Sequence, residues 1–149
     1  MFSQDEEECI FDQTIQTDEF VKNIHEFSNY SWNDNRKEAT IKLEDGNILV
    51  AHRGGCVHFG ISGELFLKGV ENSSQNLDFW FQKAKWIGKR LFNESDYKLL
   101  EESIDNKTYT DLSDERGIYI VIPHETYNEF SISVKIEEES KVLYVGYYF

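Results

Sequence analysis

Proline and glycine are scarce: 1 proline and 9 glycines in 149 residues. That leaves no Pro-rich or Gly-rich linker. The one polar run resembling a linker, residues 72–76 (NSSQN), is too short to separate domains. There are only two cysteines, Cys9 and Cys56. Two are too few for a disulfide scaffold, so the sequence predicts reduced thiols and a cytoplasmic protein. No apolar run approaches the ~18 residues of a membrane span. The longest, GIYIVIP at 117–123, has strand length. The N-terminus, MFSQDEEECIFDQ, lacks the basic and apolar regions of a secretory signal.

Basic residues are also in short supply: 15 Lys and Arg face 28 Asp and Glu, for a net charge of −13. Such a chain repels phosphate over most of its surface and attracts a basic protein. The expectation is therefore a basic protein partner, with no nucleic acid and no membrane. The acids are unevenly spread. Residues 1–20 carry seven and no Lys or Arg, and residues 93–117 carry eight against three bases. Residues 71–92 reverse the sign, with two acids and four bases.

What the chain does have is apolar and aromatic content, 40% and 15%. That suits one folded domain over 1–149, with residues 1–16 an acidic N-terminal extension free to move. Residues 17–29 read as a helix capped by Thr17, with Phe20, Val21, Ile24 and Phe27 on one face and His25 beside it. Four short strands follow: 39–44, 47–52, 56–61 and 64–69. Asp45-Gly46, Gly54-Gly55 and Ser62-Gly63 supply the turns.

Residues 76–92 read as a second helix, with Leu77, Trp80, Phe81, Ala84, Ile87, Gly88 and Leu91 in one stripe. Its bases, Lys83, Lys85, Lys89 and Arg90, suit pairing with the chain's own acids. A third helix starts near Ser95 and buries Tyr97, Leu99, Leu100 and Ile104. A polar loop, 106–117, leads to strands at 117–123, 129–136 and 141–149, the first apolar enough to be central. The loop PHETYN and the turn EEES separate them. The predicted fold is α+β: a mainly antiparallel sheet of about seven strands with three helices, in the order α-ββββ-αα-βββ.

Chemistry is concentrated in AHRGGCVHFG, residues 51–60. A zinc site could draw on His52, Cys56 and His58, but a second ligand pair is missing. A Cys56–His58 nucleophile pair is a further option, although neighbours two apart on a strand rarely aim one at the other. The stretch matches no phosphate-loop spacing. A glycine-pair turn with Cys56 and His58 in structural roles is the preferred reading. No HExxH, GxSxG or paired CxxC motif is present, so the expectation is no enzyme, no catalytic residue, no metal and no cofactor.

In size, acidity and α+β mixture, the chain resembles immunity proteins of contact-dependent growth inhibition and related polymorphic toxin systems. That resemblance implies stoichiometric neutralisation of a cognate toxin domain, often a nuclease, whose basic cleft the acids would screen. The candidate partner-binding residues are Glu101, Glu102, Asp105, Asp111, Asp114 and Glu115, with the Glu6–Glu8 run behind them. The alternatives are a small regulatory or ligand-binding domain using a sheet face with Tyr144, Tyr147 and Tyr148, or a small enzyme built on Cys56 and His58 with His52.

Overall fold

Alternation of apolar side chains builds a sheet with one buried face. The computed structural model describes residues 8–68, 76–124, 129–137 and 140–148. In it β1 (Tyr30–Asn33), β2 (Glu38–Lys42), β3 (Ile48–Gly55) and β4 (Phe59–Lys68) form one meander. After α2 (Leu77–Leu91) and α3 (Glu94–Asp105), a second meander runs through β5 (Thr110–Asp111), β6 (Gly117–Pro123), β7 (Glu129–Glu137) and β8 (Ser140–Tyr148). The strand order is β1-β2-β3-β4-β8-β7-β6-β5, antiparallel throughout. The fold is therefore α+β, with eight strands rather than seven. β1 and the two-residue β5 are added, and two expected strands merge into β4.

The buried face carries Ile41, Leu49, Leu65, Leu143, Ile132 and Ile120, and the helices pack on it. α2 matches its sequence stripe: Trp80, Phe81, Ala84, Ile87, Gly88 and Leu91 are buried. Asn76 caps it, its side-chain oxygen accepting from the Phe79 N–H at 2.8 Å. The N-cap of α3 is Asn93 rather than Ser95: Asn93 Oδ1 accepts from the Asp96 N–H at 2.7 Å. A methyl at Gly88 would lie 2.7 Å from Leu100 Cδ2, so this glycine lets the two helices touch.

Three expectations need correcting. The helix over 17–29 is a single turn, α1 (Glu19–Lys22), between 3-10 turns at Gln13–Ile15 and His25–Phe27. Ile24 is extended, and Val21 and Phe27 reach the core without a continuous helix. So short a segment gains too few hydrogen bonds to offset nucleation. Second, neither Gly54-Gly55 nor Ser62-Gly63 is a turn. The first pair ends β3, paired with Phe59 and Gly60, and the chain reverses at Cys56–His58. The second lies inside β4, so the strands expected at 56–61 and 64–69 are one. There a methyl at Gly63 would sit 2.6 Å from Ile87 Cγ2, so the missing side chain seats α2 on the sheet. Asp45-Gly46 is a turn as expected, with Gly46 at φ +90°. Third, β6 is not central but next to the edge, and its outward Tyr119 is 41% exposed. The expected linker 72–75, the loop 125–128 and the turn 138–139 lie outside the described residues.

Candidate functional site

The stretch 51–60 is a clasp for the N-terminal segment. Cys56 is bonded to Cys9, with their Cα atoms 4.5 Å apart, so the expectation of reduced thiols is overturned. In this state Cys56 is neither nucleophile nor metal ligand. Phe11 donates its N–H to the Cys56 carbonyl at 3.0 Å and packs on Phe59. The Gln16 amide bonds both the N–H and the carbonyl of Gly55, each at 2.9 Å, as a neighbouring strand would. Lys37, 6% exposed, donates to the Gln16 carbonyl at 3.2 Å and pairs with Asp34.

A methyl at Gly54 would lie 2.6 Å from Gln16 Oε1. Gly54 is thus there for close approach, while a side chain at Gly55 would run into the His58 carbonyl of the reversal. Residues 8–16, expected to be mobile, are tied down; residues 1–7, including Glu6 and Glu7, lie outside the described residues.

The two histidines do not join Cys56. His52 Nδ1 lies 3.1 Å from the Arg36 carbonyl, and its Nε2 lies 3.2 Å from the Gly54 carbonyl. His58 meets Tyr148 edge-on at 6.1 Å between ring centres. Among the described residues, no group of three His, Cys, Asp or Glu side chains is placed to hold a metal ion.

The six predicted partner-binding acids fall on two elements. Glu101, Glu102 and Asp105 occupy the last turns of α3. Asp105 is tied to Lys85 at 2.7 Å, and Glu101 accepts from the Tyr97 hydroxyl at 3.3 Å. Asp111, Asp114 and Glu115 lie around β5. Asp111 accepts from the Ser113 N–H at 2.9 Å, and Asp114 from the Arg116 N–H at 2.8 Å. Asp111 is held below its ordinary range by the Ser113 hydroxyl first and its N–H next, and Asp114 by the Arg116 N–H first and its guanidinium next, as hydrogen bonding to the charged form does. Asp111 and Asp114 therefore have local turn-building work, whereas exposed Glu102 and Glu115 make no ion pair among the described residues. On α2, Lys85 and Arg90 pair with Asp105 and Glu26, as expected of bases serving the chain's own acids.

Opposite the helices, no helix among the described residues packs on the sheet, although Val142 on that face is only 7% exposed. One row across it reads Thr40, Val50, Glu64, Tyr144, Ser133 and Tyr119. Tyr148, 52% exposed, stands on the same face. Tyr147, expected beside it, is not there. Strand parity turns it to the helix side, where it is 2% exposed. Tyr144 leans over Gly146, where a methyl would lie 2.8 Å from its hydroxyl. Its ionisation is pushed up, first by burial and next by the Glu64 carboxylate.

No protein family, no curated protein and no solved structure is matched by this chain. The site must stand on its own geometry.

Two further places went unnoticed in the sequence. The first is a buried network in which the Tyr147 hydroxyl and Asn93 Nδ2 donate to Asp96 Oδ2, at 2.5 and 3.1 Å. His124 Nε2 lies 3.1 Å from Asp96 Oδ1. Asn93-x-x-Asp96 has the spacing of a reciprocal helix cap, which was its only signal. The second is a groove of ≈ 980 Å³ between the His25–Phe27 turn, the β2–β3 turn and α2, floored by Leu43, Leu65, Phe79 and Trp86. The Arg90 guanidinium stacks 3.9 Å over Trp86 at one end.

Proposed function

We propose that this chain acts by binding, capturing a basic protein partner one-to-one in the manner of immunity proteins that neutralise a toxin domain. One observation carries the reading. Lys22, Arg36, Lys37, Lys85, Arg90 and Arg116 are each engaged by one of the chain's own carboxylates. Each such pair removes one charge of each sign. The net charge of −13 is therefore undiminished by this pairing. Such a field speeds encounter with a cation and suppresses other partners. A toxin domain, and a nuclease in particular, is the partner that the sequence resemblance favours. No catalytic residue, metal or cofactor forms part of the proposal.

The Cys9–Cys56 bond favours an oxidising compartment over the cytoplasm expected from the sequence. No helix among the described residues is long and apolar enough to cross a membrane.

Native pull-down from the source cell, followed by binding kinetics at varied salt, tests the reading. The expected partner is basic, binds one-to-one, and associates more slowly as salt rises. Reversing Glu102 and Glu115 to Lys should slow association by about tenfold at low salt, because rim charges act through the on-rate. A neutral partner whose association ignores both salt and reversal would overturn the reading. The alternative, a small ligand-binding domain, is favoured by the apolar groove beneath Trp86. Binding of a small apolar dye that is lost in Trp86→Ala would support it.

A further inference from the structure

We infer that the face of the sheet opposite the described helices is the docking surface around Glu64, and that its occupant brings a Lys or Arg side chain to Glu64. This rests on the proposed capture of a basic protein and names where the capture is anchored.

Glu64 lies in β4, one of the two middle strands. Its direct neighbours across the sheet are Val50 and Tyr144. Phe66 follows it on the same face of its own strand, paired with Ile48 and Val142. The carboxylate is half-buried in these largely apolar surroundings, and it makes no ion pair among the described residues. Tyr144 stands directly beside Glu64, while Tyr119 lies three strands along the row and Tyr148 farther along β8; Glu64, Tyr148 and Tyr119 all act on the Tyr144 hydroxyl. A cation at the carboxylate can therefore also meet the Tyr144 ring face.

The occupant follows from desolvation. Any molecule that covers this face strips water from Glu64, and no Lys or Arg among the described residues pairs with it to offset that loss. A buried unpaired charge is costly, whereas a hydrogen-bonded pair is tolerated. A second copy of the chain, docked face to face about a two-fold axis here, would bring a second Glu64 towards the first. A cationic protein segment is the occupant that removes the penalty, and the net charge of −13 draws it in.

The test is an amide-resolved NMR titration of the whole protein with acetylated hexa-arginine at low salt. Saturable shifts should concentrate at Val50, Ser62, Glu64, Tyr144 and Tyr148. Glu64→Gln should weaken binding by about tenfold, the scale for losing one desolvated charge partner. Tyr148→Ser should weaken it too, while Glu94→Gln, on an exposed helix turn, leaves it unchanged. Saturable shifts confined to Glu101–Glu115, or binding indifferent to Glu64→Gln, would overturn the docking surface but leave the capture of a basic partner standing. No saturable shift anywhere would count against both.

Discussion

Asp96 ties three separate pieces of chain to one carboxylate. It is 5% exposed, and it joins the start of α3 to the ends of β6 and β8. Removing it leaves the Tyr147 hydroxyl without this acceptor in a buried setting and deletes half of a helix cap. Asp96→Ala should therefore cost about 2–4 kcal/mol, the sum of an orphaned polar group and a lost cap. Glu102→Ala, exposed on the same helix, should stay within about 0.5 kcal/mol. Urea unfolding of the two variants checks both. An equal response would mean that the network contributes nothing. In the sequence Asp96 looks like any acid in a first helical turn. Its value comes from residues 28 and 51 positions away, which no local pattern reports.

Among the elements, α2 was legible because its apolar stripe, its cap and its length all agree. The strands were legible as strands, but not where they end. Gly-Gly and Ser-Gly read as turns because small residues usually mark reversals. Here they mark places where Gln16, Lys37 and Ile87 come too close for a side chain. Local chemistry cannot separate those two uses of glycine, since the crowding neighbour is remote in sequence. Gly63→Val should accordingly cost about 2–4 kcal/mol by forcing α2 off the sheet. Gly46→Ala meets open space and should cost about 1 kcal/mol, from its positive φ alone. Thermal unfolding distinguishes them. Comparable losses at both sites would remove close packing as the reason for Gly63.

At the scale of the whole molecule, the sequence announced the acidity and the α+β mixture, but not the disulfide. Two cysteines 47 residues apart carry no instruction to pair; only the docking of residues 8–16 beside the β3–β4 turn brings them together. Reduction, or Cys9→Ser, should lower stability by about 2–4 kcal/mol, the range for closing a loop of this order. Denaturant titration with and without reductant measures it. No change on reduction would show that Gln16 and Phe11 hold the segment unaided. The Glu64 seat was equally hidden, because the sequence shows a Glu in a strand and not which cations are absent around it.

The placement of β8 between β4 and β7 also governs how the protein is made. A ribosome releases β1–β4 long before β8, yet β4 cannot pair on its inner side until β8 arrives. β7 waits in the same way for its partner. Until then the nascent chain holds two half-sheets, each offering a raw edge to any passing strand. Such long-range closure makes folding slow, and the waiting interval is when chaperones would be engaged. For the oxidising compartment that we propose from the disulfide, that delay has a use. An export channel can take the polypeptide while it is still divided, before the one strand that locks the halves has been added.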